Sequence, residues 1–278
     1  MPTSDTKLSR ATILGVPLDL TESFRSGTAA APARIRQVWD SLESYSPTLG
    51  ADIADLEVED VGDLPLADLT IEAALDRIEA VATPLLARSF LLALGGEHTA
   101  SLALFRAARR VHPDAFLIHL DAHTDTRSSY EGQAIGHATW LYWAGREFGL
   151  DSMAQLGIRS GTREELLLGR QCAWFSPRLD LPRAVRDRIG IRPVYLTIDI
   201  DVLDPSAAPG TGCPEPGGPT FAELQAFIHG LADLQVTGAD VVEVLPACDP
   251  GDITSLAAAK LARELLLLFV RPADRTLG

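Results

Sequence analysis

Cysteine is scarce in this chain. Cys172, Cys213 and Cys248 are an odd number with no CxxC spacing, so neither a disulfide framework nor a zinc knuckle is encoded, and a reducing, cytoplasmic setting is expected. Positive charge is also short. Lys and Arg total 24 against 38 Asp and Glu, a net charge of −14, which repels phosphate backbones and anionic membranes and removes nucleic acid from the expected partners. No apolar run approaches the roughly 20 residues that cross a bilayer; the longest late one is Leu265 to Val270. Met1 to Arg10 carry no apolar h-region, so neither a targeting segment nor a membrane partner is expected. There is no GKS/T phosphate loop, no repeat, and no Gly/Ser- or Pro-rich linker, so residues 1–278 read as a single domain.

What is present is an ordinary globular balance, 46% hydrophobic and 22% charged. A chain of this length buries about three quarters of its unfolded surface, enough for a covered parallel sheet without staples. β-rich apolar runs occur at Ala11 to Gly15, Leu56 to Val61, Ser89 to Leu94, Ala115 to Leu120, Met153 to Gly157, Cys172 to Phe175, Val194 to Ile198 and Ala239 to Val244. Helix-period segments separate them, the pattern of βα units on a mostly parallel sheet of about eight strands. Ile71, Leu75, Ile78, Ala82 and Leu85 form one apolar stripe on a helix expected to kink or end near Pro84. Thr220 with Glu223 predicts a capping box, and Pro32 suits the first turn of a helix bearing Ile35, Val38, Trp39 and Leu42.

Chemistry concentrates where three strands end. Gly95-Gly-Glu-His98 follows the third run, Asp121-Ala-His-Thr-Asp125 the fourth, and Asp199-Ile-Asp201 closes the seventh. In extended backbone, side chains two apart project the same way, so Asp121, His123 and Asp125 converge, as do Asp199 and Asp201. Ligands of open α/β sheets bind beyond the carboxyl ends of the strands, where these clusters meet. Singly, each aspartate reads as a cap or turn residue and His98 as an ordinary buried histidine. Together, four clustered carboxylates require cations. Four Asp and two His form an oxygen-rich donor set suited to Mn²⁺, with Mg²⁺, Co²⁺ or Fe²⁺ as lesser options, and six ligands are enough for two ions.

The sequence resembles the ureohydrolase (arginase and agmatinase) superfamily over nearly its whole length. Gly15-Val-Pro-Leu-Asp19 with Arg25-Ser-Gly-Thr28, the three clusters above, Pro209-Gly-Thr-Gly212, and Val241-Val-Glu-Val244 with Pro246 carry the resemblance. It implies a three-layer α/β arginase-like fold with a mostly parallel eight-stranded sheet, and a binuclear manganese site of two Mn²⁺ per chain. By the same resemblance His98 and Asp125 bind one ion, His123 and Asp201 the other, and Asp121 and Asp199 bridge them. A water shared by the ions would attack a guanidinium carbon, Glu243 would bind the guanidinium, and His137, in Gly136-His-Ala-Thr139, would shuttle protons. The products would be urea and an amine. Trimers or hexamers are the assemblies the resemblance suggests.

Substrate choice rests on the far end of the molecule. Tyr130-Glu-Gly132 looks like the agmatinase branch, and the asparagine-rich stretch of arginases is missing. Agmatine, giving putrescine and urea in polyamine biosynthesis, is therefore the expected small-molecule guanidino substrate, ahead of guanidinobutyrate or guanidinopropionate and of arginine. Arg127 is the contrary feature, because a guanidinium pointing inward would hold a carboxylate. Trp140-Leu-Tyr-Trp143 stands where many agmatinases have a basic pair, and Cys213 and Cys248 stand where relatives often carry threonine and tyrosine. His112, His119 and His229 are given no role. Two rival classes are a single-zinc deacetylase, against which His98, Asp125 and Asp201 argue, and a non-catalytic metal-binding homologue, which would be expected to have lost ligands.

Overall fold

Eight of the apolar runs become the strands of one sheet in a computed structural model that describes residues 8–272. They are β1 (Arg10–Val16), β2 (Glu57–Asp63), β3 (Phe90–Gly95), β4 (Phe116–Leu120), β5 (Met153–Leu156), β6 (Trp174–Ser176), β7 (Pro193–Asp199) and β8 (Gln235–Val242). The spatial order is β2-β1-β3-β8-β7-β4-β5-β6, and every pairing is parallel. Register places Phe90 opposite Ala11, Asp240 opposite Thr197, and Val194 opposite Phe116. The edge strand β2 carries Glu57, Glu59, Asp60 and Asp63, charges that discourage a further strand from pairing there.

Alternation along the inner strands sorts the core into two layers. Phe90, Leu92 and Leu94 of β3 pack with one apolar cluster, whereas Leu91 and Ala93 pack with the other. The first cluster takes its helical residues from α1 (Ala31–Trp39), α6 (Arg183–Ile189), α7 (Phe221–His229) and α8 (Ile253–Phe269). The second takes them from α2 (Ile71–Leu86), α3 (Ala100–Val111) and α4 (Trp140–Phe148). The short α5 (Arg163–Gly169) completes the set. Helices therefore cover both faces of a parallel sheet, the three-layer arrangement that such a sheet requires.

The local signals translate as expected in several places. Thr220 and Glu223 form a reciprocal capping box at α7, and Pro32 lies in the first turn of α1. Pro84 falls in the last turn of α2, which stops at Leu86. Strand bounds shift, most of all in two strands. β6 begins at Trp174, because Cys172 is spent on a turn back to Gly169. β8 starts earlier, at Gln235, and ends at Val242, which leaves Glu243 just beyond the strand. Among the described residues, no helix is long and apolar enough to cross a membrane.

Candidate metal and substrate site

Four neighbouring strands of the sheet centre, β3, β8, β7 and β4, deliver the polar residues at their carboxyl ends. The turn after β3 is Gly95-Gly96-Glu97-His98. A Cβ at Gly96 would lie 2.0 Å from the Leu18 carbonyl oxygen, so only glycine lets the loop after β1 lie this close. β4 hands over to Asp121, β7 ends in Asp199, and β8 is followed by Glu243. Asp199 Oδ1 accepts from the Asp201 N–H at 2.7 Å, folding that segment into a single 3-10 turn. Asp125 (φ 54°) and Glu243 (φ 65°) both adopt the left-handed backbone that non-glycine residues avoid. At Glu243 this conformation accompanies a 2.6 Å bond from the His98 N–H to Oε1.

The six candidate ligands come together. His98 Nδ1 lies 3.1 Å from Asp121 Oδ2, 3.3 Å from Asp125 Oδ2 and 3.3 Å from Asp199 Oδ2. His123 Nδ1 lies 2.9 Å from Asp201 Oδ2 and 3.6 Å from Asp121 Oδ1. Asp121 thus turns one oxygen toward each histidine. Asp199 brings Oδ2 to the His98 side and uses Oδ1 on the Asp201 N–H. His98, Asp121, Asp125, Asp199 and Asp201 are all buried.

The donor set fits divalent cations. His98 Nδ1 is buried among three carboxylates yet has no hydrogen-bond partner, while Nε2 lies 2.9 Å from Thr197 Oγ1. The Thr197 hydroxyl donates to Asp240 Oδ1 at 2.6 Å, so its oxygen is left to accept from Nε2–H, and Nδ1 keeps a lone pair facing the carboxylates. Burial, then the charges of Asp201 and Asp121, push the Asp199 pKa well above the usual carboxylate range. Burial opposes an imidazolium at His98, but Asp121, Asp125 and Asp199 outweigh it and raise its pKa well above the ordinary value. Both shifts register the same demand for positive charge, which metal ions meet in place of protons.

Two residues behind the cluster hold it in place. His119 Nε2 lies 2.8 Å from Asp121 Oδ2, and the Gln155 amide reaches both His119 Nδ1 (3.2 Å) and the Thr124 carbonyl (2.8 Å). His119, given no role from sequence, therefore lies on the same side of its strand as Asp121 and touches it. Trp140, which stands where many agmatinases have a basic residue, is fully buried and donates from Nε1 to Asp125 Oδ2 at 2.9 Å. Its ring centroid is 4.7 Å from that of His98.

Above the cluster opens a cavity of about 390 Å³ lined by His98, His123, Asp199, His137, Glu243 and Glu22, among others. His137 Nε2 is 3.2 Å from Ser23 Oγ, its N–H donates to Thr21 Oγ1, and its Nδ1 is buried without a partner. Arg127 lines the cavity with its charge already matched: its Nε is 3.2 Å from Glu165 Oε2, and its guanidinium lies 4.3 Å over the Tyr130 ring. Cys213 also lines it, half-buried, with burial first among the causes that push its thiol up to about 11. Cys248 lies in the turn after β8, outside the lining. Glu22, unnoticed in the sequence, has its carboxyl pushed up to about 7 by burial and then by Glu97. No short-range signal marks it, because Glu97 and Glu243, the carboxylates it faces, come from distant segments.

The Arginase family profile matches residues 9–268. The chain is 42% identical over 269 residues to the agmatinase of Bacillus cereus, an alignment spanning 95% of this chain and 93% of that one. It is 36% identical over 275 residues to the guanidinobutyrase of Pseudomonas aeruginosa, spanning 93% and 86%. The solved structure of proclavaminate amidino hydrolase from Streptomyces clavuligerus superposes with a TM-score of 0.87 at 31% identity, covering 96% of this chain and 94% of the other.

Proposed function

The chain belongs to the arginase family and is a ureohydrolase acting on amidino C–N bonds, and from that premise we propose that it converts agmatine to putrescine and urea. In this reading His98 and Asp125 would hold one manganese ion and His123 and Asp201 the other, with Asp121 and Asp199 available to both. The oxygen-rich donor set and the partnerless His98 Nδ1 support it. Two such ions, when bound, supply Lewis-acid activation of water near neutral pH. The protein does the rest. Glu243, anchored through Oε1 to the His98 N–H, offers Oε2 to the guanidinium and orients its carbon. His137, at the cavity wall, carries a proton to the departing amine, while Ser23 and Tyr130 hold its ring. His119 and Trp140 keep Asp121 and Asp125 aimed. The proposal includes a single ureohydrolase domain over 1–278, a cytoplasmic setting and a trimeric or hexameric assembly, each carried by the family resemblance.

The observation that carries the substrate is the pairing of Arg127. Among the described residues it is the one Arg or Lys side chain of the lining, and Glu165 already neutralises it. A carboxylate tail would have to displace Glu165, whereas an amine tail enters a cavity with excess negative charge. The second reading, guanidinobutyrate, is favoured by the position of Arg127 at the lining and by the resemblance to a guanidinobutyrase. Urea release from agmatine, arginine, guanidinobutyrate and guanidinopropionate decides between them. The expected result is the highest kcat/KM for agmatine. A higher value for either guanidino acid, lost selectively in Arg127→Ala, refutes it.

A further inference from the structure

The structure points to a second substrate-binding carboxylate: we propose that Glu22 joins Glu243 in gripping the guanidinium, making the site selective for that cation over neutral amides. The inference rests on the assignment of Glu243 to the guanidinium and extends it to a residue outside the motifs.

Glu22 belongs to the loop after β1 and lines the cavity beside Glu243. A Cβ on Gly212 would stand 3.7 Å from Glu22 Oε2 and 3.9 Å from Glu243 Oε2, so these two oxygens converge over one bare stretch of backbone. Their partner oxygens are already engaged. Glu243 Oε1 accepts from the His98 N–H, and Glu22 Oε1 accepts from Thr28 Oγ1 at 3.2 Å. Each carboxylate is thus fixed by one oxygen and presents the other. Behind them the fully buried Glu97 has an Oε1 with no partner, and carboxylate oxygens of Asp19, Glu22 and Glu97 lie within 4.8 Å of one another. Among the described residues that line the cavity no other arginine or lysine answers this charge, and Arg127 is taken by Glu165.

A guanidinium meets what the pair lacks. It is planar, delocalised and weakly hydrated, with N–H donors along several edges, so one cation can satisfy two carboxylates. A further divalent ion on Asp19, Glu22 and Glu97 is the competing occupant. That loop is already held without one: Glu97 Oε2 accepts from the Leu20 and Thr21 N–H groups, and Asp19 Oδ2 accepts from the Gly27 N–H.

The test uses the manganese-loaded enzyme and Glu22→Gln, which keeps the acceptor for Thr28 and removes only the charge. The expected result is a rise in agmatine KM of about 10- to 100-fold, the size of a lost charge-assisted bond to the substrate cation, with kcat lowered by no more than about threefold, because attack at the guanidinium carbon disperses the charge that Glu22 holds. Competitive inhibition by guanidinium ion should weaken by a similar factor, while inhibition by neutral urea should not move. Glu22→Asp, which restores the charge, should recover part of the loss. Unchanged KM and guanidinium inhibition overturn the proposal, as does equal weakening of urea and guanidinium. A third tightly held ion per chain that Glu22→Gln releases also overturns it. A wild-type enzyme that hydrolyses no guanidino compound removes the Glu243 assignment beneath it, whereas an active wild type with an indifferent Glu22→Gln isolates the failure to Glu22.

Discussion

Replacing Trp140 by phenylalanine should loosen one of the two metal ions and spare the other. The indole N–H reaches Asp125 Oδ2 at 2.9 Å inside a fully buried pocket, and the ring lies against those of His98 and His119. Phenylalanine keeps most of the ring packing and deletes the donor. A hydrogen bond to a charged group contributes about 1.5–3 kcal/mol, which at ~1.4 kcal/mol per decade is roughly a 10- to 100-fold loss in affinity. The same range is typical when the partner of a metal ligand is removed. Only the ion assigned to His98 and Asp125 should feel it. The ion assigned to His123 and Asp201 should stay within about twofold, since that pair makes no contact with the indole N–H. Titrating metal-free Trp140→Phe with Mn²⁺ against a competing chelator yields the two dissociation constants. Trp143→Phe is the control, because its indole donates to the Ala134 carbonyl instead. Equal weakening of both ions, or of neither, would refute the assignment of Trp140 as the support of Asp125.

Metal removal should also be visible in stability. An ion present at ~100 times its dissociation constant adds about 2.7 kcal/mol, and two of them, set against the unfolding entropy of a 278-residue chain, correspond to a Tm loss near ~10 °C on chelation. Scanning calorimetry with and without chelator checks this, and an unmoved Tm with metal removed counts against the cluster as a cation site. His137→Asn should retain both ions and lose kcat by about 100-fold or more at neutral pH. Metal analysis alongside turnover tests it, and a near-normal kcat would remove the proton-carrying role.

The sheet and the six candidate ligands were legible because short-range rules govern both. Apolar runs spaced by helical stripes specify parallel βα units, and polar clusters that directly follow the strands must meet at one edge of the sheet, which is why Asp121, His123, Asp199 and Asp201 group together from sequence; the extended backbone expected within those clusters is replaced by turns, a 3-10 turn at Asp201 and left-handed backbone at Asp125. His119 obeys a period-two rule with Asp121, but its burial and its contacts with Asp121 and Gln155 depend on β5 lying alongside β4. Trp140 carries no such signal, because helical position alone does not say whether a large ring faces the cavity or packs beneath it, where the structure puts it. Glu22 carries no local signature, since its meaning comes from Glu243, more than two hundred positions later, and from the missing side chain at Gly212. Glu243 itself was placed within its strand, where a left-handed residue could not have been foreseen from an apolar run.

The left-handed backbone at Asp125 and Glu243 sets a limit on how this protein can be hardened. Each position costs on the order of 1 kcal/mol that glycine would not pay and asparagine would reduce. Neither replacement carries a carboxylate. A library screened for heat resistance alone would therefore be drawn toward substitutions at these two sites and would accumulate robust, inactive molecules. Screening must keep turnover in the criterion, and lasting gains belong in the helix layers and at the caps, far from the carboxyl edge of the sheet.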